Sequence, residues 1–366
     1  MKRLLLLCIF LLFLPGCSGV QLNERAIVQA AAIDLTETGC RLTLQIFDPE
    51  GASKEAATGG KILSAEGKTV AQAVREASLK SGQEIFFGHT KLLILGESVA
   101  EKGVKEAIGF FNGQTRSRPN IDVLLAAGQG ASLLQKPLDQ SILPVLTTRM
   151  LLEDYRDNGR LVRTLLKGLA SSLENPAAGA YLPVASYSGQ EETPIQVVGT
   201  ALLSQGRLQG AMTPDETRGL LWVLGEMGKT QLEVQQGTEF ALFQVEKSDV
   251  KVKTRIENDL PKLEITVSAQ VSIEEESPSA KEKDLAQRIA DYETRLQWQI
   301  ETQVRQALDQ LILETGCDAA GFSARFRQRH PDWWKKNGEN WPALFPETDC
   351  SVTVKCRINR GGNASG

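Results

Sequence analysis

Histidine and cysteine are the residues of this sequence that could do nucleophilic, acid–base or metal chemistry. The 366-residue chain has two histidines and six cysteines. His89 precedes a predicted strand and His330 precedes Pro331, and neither has an acid and a nucleophile at the spacing that general-base catalysis needs. Two histidines are also too few for a His-rich metal site. We therefore interpret both as structural residues and predict that the protein is not an enzyme.

Cys17 is the cysteine with the most distinctive surroundings. Residues 1–17 read MKRLLLLCIFLLFLPGC, in which two cations precede an apolar run from Leu4 to Leu14. This is the layout of a secretory signal, and it is too short to span a bilayer as a helix. Its ending resembles the bacterial lipobox, in which the cysteine thiol receives a diacylglyceryl group and becomes the first residue of the mature protein. We predict a lipoprotein signal peptide over residues 1–16 and lipidation of Cys17; a plain signal with a coincidental cysteine is the alternative.

Four further cysteines lie in the mature part of the chain: Cys40, Cys317, Cys350 and Cys356. Cys350 and Cys356 are six residues apart on an alternating strand pattern, about 20 Å along a strand, which is too far for an S–S bond. No CxxC spacing occurs. This pattern favours scattered core or edge thiols over a metal or redox site, and it leaves their redox state open.

The charge balance argues against a nucleic-acid partner. Forty-one Lys plus Arg face 45 Asp plus Glu, a net charge of −4, and a mature chain without Lys2 and Arg3 would carry −6. No basic excess is therefore present to neutralise phosphates. The sequence also contains no G-x-S-x-G, Walker A, H-E-x-x-H or EF-hand motif, and Gly128 to Gly130 lack the third glycine of a dinucleotide fingerprint. We predict no cofactor and no metal.

The first half of the mature chain has the pattern of a mixed α and β domain. Thr69 is placed to cap a helix, and Leu161, Leu165 and Leu169 recur at a spacing of four within a stretch, Ser141 to Ser172, that we predict to be helical. Predicted strands cover Ala26 to Asp34, Arg41 to Asp48, Lys61 to Ser64, Leu92 to Leu95 and Ile121 to Ala127, with a helix through Val104, Ile108 and Phe111. The first two strands form a predicted hairpin.

A polar stretch from Ser186 to Pro194 has the composition of a linker. We therefore divide the mature chain into an N-terminal α+β domain at 17–188 and a C-terminal α+β domain at 194–360, which could split into two subdomains near 240. Predicted elements after the linker are a strand at Gln196 to Leu203, a helix at Pro214 to Val223, strand-like runs at Phe240 to Val245, Val250 to Ile256 and Leu263 to Ile273, a short helix at Phe322 to Arg329 and a last strand at Ser351 to Ile358. A turn signal, Asn258-Asp259-Leu260-Pro261, lies between the last two of these runs.

One long helical pattern runs from Ala280 to Leu313. Its apolar residues recur at steps of three or four: Leu285, Ile289, Tyr292, Leu296, Ile300, Val304, Leu308 and Leu311. Its other face is charged: Glu282, Lys283, Arg288, Glu293, Arg295, Glu301 and Arg305. This pattern predicts an amphipathic helix that packs on a sheet, with a coiled-coil partner as the alternative. The predicted fold class is α+β and multi-domain, with mixed or antiparallel sheets and packed helices. We interpret the aromatic cluster of Trp333, Trp334, Trp341 and Phe345 as a satellite core, with a ligand cage as the alternative.

Several short motifs after Cys17 lie in a characteristic order along almost the whole mature chain. They are Leu22-Asn23, Ile33-Asp34, Gly88-His89-Thr90-Lys91, Gly96-Glu97, Gly199-Thr200-Ala201, Gly206-Arg207-Leu208-Gln209-Gly210, Glu216-Thr217-Arg218-Gly219-Leu220-Leu221-Trp222, and an ending with Gly321-Phe322, Arg329-His330-Pro331, Trp334, Asn340-Trp341, Phe345-Pro346, Val352, Val354 and Arg357. Together they resemble the Ger(x)C spore germination lipoproteins, the C subunits of nutrient germinant receptors. Ser18-Gly19 stand where that family usually has Trp-Asp.

The resemblance implies a non-catalytic subunit of a germinant receptor, needed for spore germination and acting through protein–protein contacts. Its implied partners are the integral-membrane A-type and B-type subunits and the membrane lipid, reached through acylated Cys17 at the outer face of the spore inner membrane. Two other classes stay open: a solute-binding lipoprotein of a membrane transporter, and an envelope hydrolase. The first would need two α/β lobes, whereas the strands here look antiparallel in consecutive runs. The second would need a nucleophile with a base.

Overall fold

The structure, a computed structural model, describes residues 25–47, 60–113, 120–135, 144–187, 195–237, 239–278 and 284–359. The strands are β1 (Arg25–Thr36), β2 (Gly39–Phe47), β3 (Gly60–Gly67), β4 (Glu84–Phe86), β5 (Leu92–Gly96), β6 (Asp122–Ala126), β7 (Gly179–Tyr187), β8 (Ile195–Ser204), β9 (Arg207–Met212), β10 (Gln231–Gln236), β11 (Glu239–Glu257), β12 (Leu260–Glu276) and β13 (Asp349–Ile358). The helices are α1 (Val70–Ser81), α2 (Glu97–Lys102), α3 (Lys105–Gly113), α4 (Ser132–Gln135), α5 (Pro144–Glu153), α6 (Tyr155–Asn158), α7 (Leu166–Glu174), α8 (Pro214–Leu224), α9 (Leu285–Asp309), α10 (Phe322–Arg329), α11 (Pro331–Asn337) and α12 (Trp341–Leu344).

Strands β1 to β9 form one mixed sheet, the first sheet, in the order β3-β2-β1-β5-β6-β7-β8-β9, with β4 pairing to β1. The pairs at its two ends are antiparallel, including the predicted β1–β2 hairpin. Its centre, β1-β5-β6-β7, is parallel. One face packs on α1, α2, α3 and α7, and the other packs on α4 and α5.

The parallel centre corrects the expectation of consecutive antiparallel strands. Parallel neighbours need crossover connections, and here helices such as α2 and α3 supply the crossover between β5 and β6. The direction of the strands therefore does not argue against a solute-binding lipoprotein, as the sequence analysis had assumed. The two sheets do differ from each other: the second has four described strands and another topology, so the described residues do not form two similar α/β lobes.

Helix starts in both halves follow from side chains that cap free backbone N–H groups. The Thr69 hydroxyl accepts from Gln72 N at 3.2 Å and starts α1, as predicted. Thr213 and Glu216 form a reciprocal capping box at the start of α8: Glu216 N donates to the Thr213 hydroxyl at 3.3 Å, and Thr213 N donates to Glu216 Oε2 at 2.7 Å. Each cap fixes where its helix begins.

The prediction of helix through Leu161 and Leu165 is wrong. Gly159 adopts a left-handed conformation, with φ of 66°, and ends α6. The following segment is extended and binds β6, because Val123 N donates to the Thr164 carbonyl at 2.8 Å and Leu165 forms a bridge with Asp122. Leu161 and Leu169 are buried on opposite faces of the first sheet and Leu165 is half-buried, so the spacing of four does not mark one helical face, and helix resumes at Leu166.

Strands β10 to β13 form the second sheet, in that order. The runs predicted at Phe240 to Val245 and Val250 to Ile256 are one strand, β11, which bends at a bulge between Val245 and Lys247. The predicted turn after it is present: Asn258 and Asp259 have φ of 51° and 65°, as a two-residue hairpin requires. Strand β13 lies parallel to β12, so this sheet is also mixed.

The long helix α9 packs its apolar face on the second sheet, as its periodicity predicts. Leu296, Ile300 and Val304 are fully buried and belong to one core with Phe243 and Val267. Asp284 caps the helix by accepting from Ala286 N and Gln287 N, both at 3.0 Å, and a π-helical turn, Gln310–Glu314, follows its end. The expected residues 280–283 lie outside the described part.

The fold class is therefore confirmed: two mixed sheets with packed helices, including one long amphipathic helix. The division at residues 188–194 stays a prediction, and these residues are outside the described ranges. The first sheet continues across that division, because β8 and β9 pair onto β7.

Candidate functional site

Cys17, the predicted lipidation site, and the signal peptide lie outside the described residues, so lipidation stays a prediction. The structure places the other four cysteines as free thiols: Cys40, Cys317, Cys350 and Cys356. Burial raises the pKa of Cys317, Cys350 and Cys356 to about 12, and it also raises the pKa of Cys40. Cys40, Cys317 and Cys356 are buried and Cys350 is half-buried, and a raised pKa disfavours the thiolate, which is the reactive form.

The two histidines lie in different places and are not brought together with a nucleophile. His89 is exposed in the turn between β4 and β5, with its ring 6.0 Å from that of Phe86. His330 Nε2 lies 3.0 Å from Thr254 Oγ1 and 3.1 Å from the Thr254 carbonyl oxygen, and its ring packs 5.7 Å from Phe326. These contacts join the end of α10 to β11.

We expect His89→Gln and His330→Gln to leave germination intact. The first substitution changes an exposed turn and should alter stability by less than about 0.5 kcal/mol. The second keeps an N–H donor for Thr254 but loses ring packing on Phe326, at a cost of about 1 kcal/mol. Thermal melts and a spore germination assay check both. Loss of germination with an unchanged melt and normal protein level would mean that a histidine has a chemical role.

Asp318 is a buried carboxylate that the sequence analysis missed. Its oxygens accept from Phe322 N at 2.7 Å, Ser323 N at 2.6 Å and Trp341 Nε1 at 3.2 Å, so it caps α10 and anchors α12. Burial raises its pKa to about 6 despite these hydrogen bonds, which lower it. The predicted aromatic cluster is core, with Trp341 and Phe345 fully buried. Asp318 positions that cluster.

Two more buried carboxylates organise the first sheet. Asp34, at the end of β1, accepts from Gly130 N at 2.6 Å and Ala131 N at 2.9 Å, which fixes the turn before α4. Asp122 is fully buried and pairs with Arg163 at 2.6 Å and with Arg149 at 3.3 Å. Each carboxylate has its partners within the protein, so these are structural ion and hydrogen-bond networks.

The expected charged face of the long helix is only partly free. Arg288 pairs with Glu276 at 3.0 Å, and both side chains are about nine-tenths buried. Glu293 pairs with Arg357 at 2.9 Å and accepts from Ile358 N, which fastens α9 to the end of β13. The prediction that Arg288 and Glu293 lie on an exposed face is wrong. The period of the helix does not show that residues of β12 and β13 pack against them.

What remains exposed on α9 is a mixed surface with one large aromatic residue. Arg295 pairs with Asp291 at 3.2 Å and Arg305 pairs with Glu301 at 2.7 Å, in each case one turn away. Trp298 is 71% exposed between them. The sequence signal for Trp298 is that it departs from the apolar period of α9, and the sequence analysis missed it. Exposed Trp and Arg are the residues that dominate protein interfaces.

A cleft of about 650 Å³ lies beside Arg295, between the N-terminal half of α9 and strands β10 and β11. Its lining includes Phe240 and Tyr292, so apolar rings lie next to the charged pair. The structure describes no group of three His, Cys, Asp or Glu residues placed to hold a metal ion. In the described ranges, no helix has both the length and the apolar character needed to cross a membrane.

Comparison with known proteins identifies the class. The family described as "Spore germination protein N-terminal domain" matches residues 18–187, and the one described as "Spore germination B3/GerAC like, C-terminal" matches residues 198–362. The chain is therefore a spore germination protein by class. It belongs to the GerAC-like family, in agreement with the resemblance seen in its motifs.

Relatives match over nearly their whole length. Spore germination protein B3 of Bacillus subtilis (strain 168) is 26% identical over 358 residues, which cover 95% of this chain and 94% of the relative. Spore germination protein KC of the same organism is 25% identical, covering 98% and 95%, and spore germination protein GerQC of Bacillus cereus is 24% identical, covering 99% of each. A crystal structure of the GerBC protein has the same fold, with a TM-score of 0.62 and 22% identity over 90% of this chain and 96% of that chain.

Proposed function

We propose that this protein is a lipid-anchored, non-catalytic subunit of a nutrient germinant receptor. The observation that carries the proposal is the extent of the family match, which begins at Ser18, directly after the cysteine of the lipobox, and continues to residue 362. Acylated Cys17 would hold the chain at the outer face of the spore inner membrane. There it would meet the A-type and B-type integral-membrane subunits.

A subunit without a reaction centre can influence germination only by binding two receptor states with different affinity, since equal binding would shift neither state. The surface that we assign to this role is the exposed part of α9 around Arg295, with the cleft that holds Phe240 and Tyr292. It combines an arginine with apolar rings, as the centres of protein interfaces do. The N-terminal domain, which follows the anchor directly, is the second contact region.

Affinity isolation of the protein from gently solubilised spore membranes tests the proposal. We expect the A-type and B-type subunits of one receptor to accompany it in similar amounts. Recovery of a transporter's membrane subunits would instead support the solute-binding lipoprotein. Turnover of a cell-wall substrate by the purified full chain would contradict a non-catalytic role.

We expect Arg295→Glu to weaken receptor assembly more than folding. The reversal replaces an ion pair with Asp291 by two like charges one turn apart, which costs only about 0.5 kcal/mol on a helix surface. At an interface, the same change places a negative charge against a surface that had faced a cation, which costs several kcal/mol. Co-isolation of the membrane subunits and the thermal melt measure the two effects.

Arg305→Glu is the matched control, because Arg305 also pairs with a carboxylate four residues away, Glu301, on the same helix. It should perturb the helix equally and leave assembly in place. Equal loss of co-isolation in both variants would show that helix stability, and not the Arg295 surface, governs assembly.

A further inference from the structure

A second and more polar cleft has a volume of about 810 Å³. Its walls are formed by α6, α8, β10, β11 and α9. Amide and hydroxyl groups make up much of its wall, including Asn158, Gln244, Thr302 and Gln306. Such groups orient a bound polar molecule by hydrogen bonds. We call this space the Arg218 cleft.

Arg218 lies in the wall of the cleft and is itself 8% exposed. Its Nε donates to the Gly159 carbonyl at 3.2 Å, and none of the described residues accepts from its two terminal nitrogens. None of the described carboxylates lies within ion-pair distance of it. Burial and repulsion from Arg160 lower the pKa of Arg218, and attraction to the Asp215 carboxylate, which is not in direct contact with it, offsets only part of this effect. A buried cation with an incomplete counter-charge is costly, and an anion in the cleft would offset that cost.

Two of the charged neighbours of Arg218 in the cleft, Arg160 and Asp157, have partners, whereas the described residues offer none to the ammonium of Lys229 or to the carboxylate of Glu233. Arg160 lies 3.9 Å from Asp215, and both are largely exposed. Asp157 accepts from Lys229 N at 2.9 Å. Among the described cations that line the cleft, Arg160 and Lys229 are exposed, and Arg218 is the one that is buried.

The rest of the Arg218 motif is used to build the fold. Glu216 completes the cap of α8, the Thr217 hydroxyl lies 2.9 Å from that of Thr200, and Trp222 Nε1 donates to Gln303 Oε1 at 3.1 Å. Gly219 permits α8 to touch α9. These neighbours explain the packing of α8, and the bond from Arg218 Nε to Gly159 leaves the two terminal nitrogens of Arg218 without a described acceptor.

Gln299 and Trp298 supply an independent observation on α9. Gln299 lines the same cleft, and its buried Oε1 accepts no hydrogen bond from the described residues. An orphaned buried acceptor is unfavourable, and a donor on a ligand would satisfy it. Trp298 forms part of the wall and is 71% exposed, so its indole can cover a bound molecule.

From these residues we propose that the Arg218 cleft binds a small organic carboxylate that also carries an O–H or N–H donor. The carboxylate accepts from the terminal nitrogens of Arg218, the donor reaches Gln299 Oε1, and Trp298 covers the molecule. A planar guanidinium suits a carboxylate because two parallel N–H groups match its two oxygens. This site is separate from the Arg295 surface and does not depend on the receptor role.

Titration of the purified full chain with glycolate and with propionate tests the proposal. The two probes have equal numbers of heavy atoms and the same charge, but glycolate alone has a hydroxyl donor. Labelling with 5-fluorotryptophan gives a fluorine NMR signal for each of the five tryptophans, and Trp298→Phe assigns the one of interest. We expect both probes to shift the Trp298 signal in the millimolar range, with glycolate binding about threefold to tenfold more tightly.

Arg218→Gln should weaken glycolate about tenfold or more, because it removes the charge while its amide can still donate to Gly159. Arg160→Gln is the matched control: it removes an exposed cation from the same cleft and should change the affinity less than twofold. If Arg218→Gln fails to fold, Gln299→Leu serves instead and should abolish the preference for glycolate over propionate. No shift of the Trp298 signal by either probe, or equal affinity in Arg218→Gln and the native protein, would overturn the proposal.

Discussion

Replacing Cys17 with alanine is expected to remove the protein from the spore membrane fraction and to abolish its contribution to nutrient germination. The thiol of Cys17 is the predicted acceptor of the diacylglyceryl group, and an alanine side chain cannot form the thioether. Each buried methylene contributes about 0.8 kcal/mol, so two or three acyl chains hold a protein durably where one would not. Without them, the chain loses its proximity to membrane-embedded partners, and with it the high effective concentration that assembly needs.

Mass spectrometry of the N-terminal peptide and membrane fractionation measure this effect. Native protein should give a mature chain that begins with acylated Cys17, and the variant should keep its signal peptide or appear in the soluble fraction. Cys8→Ala is the matched control, since Cys8 lies in the apolar run of the same leader and outside the lipobox. An unmodified Cys17 in the native protein, or a mature chain that starts elsewhere, would contradict the anchor.

Local features of the fold could be predicted from the sequence because they depend on neighbouring residues. Thr69 marks the start of α1, Pro214 follows the cap of α8, and the Asn258-Asp259 pair marks a two-residue turn. The apolar period of α9 gave its buried face for the same reason. Helix and hairpin signals of this kind extend over only a few residues.

The pairing of distant strands could not be predicted in this way. Nothing near β1 in sequence shows that it lies beside β5 as a parallel neighbour, or that β13 returns to β12. The leucine spacing around Leu161 fits a helical period, but Leu161 and Leu169 pack on opposite faces of the first sheet, which a short-range pattern does not show. Where distant segments meet, short-range pattern carries little information.

The candidate sites depend on such distant contacts, so the sequence showed them only in part. Arg218 stood in a motif that resembled the family, but its buried and unpaired state depends on Gly159 and on α9. Arg288 and Glu293 looked exposed until β12 and β13 gave them partners. The sequence shows Trp298 as an apolar residue on a polar helix face. Its position in the cleft wall could not be predicted, because it depends on contacts with distant segments.

Gly219→Ala is expected to produce the largest loss of stability of any substitution considered for the second sheet's core. Helices α8 and α9 touch at this residue: an added Cβ would overlap the carbonyl oxygen of Gln303 and would lie 2.8 Å from the Cβ of Ala307. Backbone cannot give way as a flexible side chain can, so the helices must separate. That separation also stretches the Trp222–Gln303 hydrogen bond. We expect a cost of about 3 kcal/mol.

Thermal unfolding followed by tryptophan fluorescence measures this cost, because fully buried Trp222 lies at the helix contact. Gly168→Ala is the matched control. Gly168 is an exposed helical glycine of α7, and an added Cβ there meets no atom within 4 Å. Gly168→Ala should raise the free energy of unfolding by about 0.5–1 kcal/mol through helix propensity alone. Gly219→Ala has the same gain in helix propensity, but the lost contact between α8 and α9 costs more than that gain. Equal melting temperatures for the two variants would mean that α8 and α9 can move apart at little cost, and that the close approach at Gly219 does not hold Arg218 and Trp222 in place.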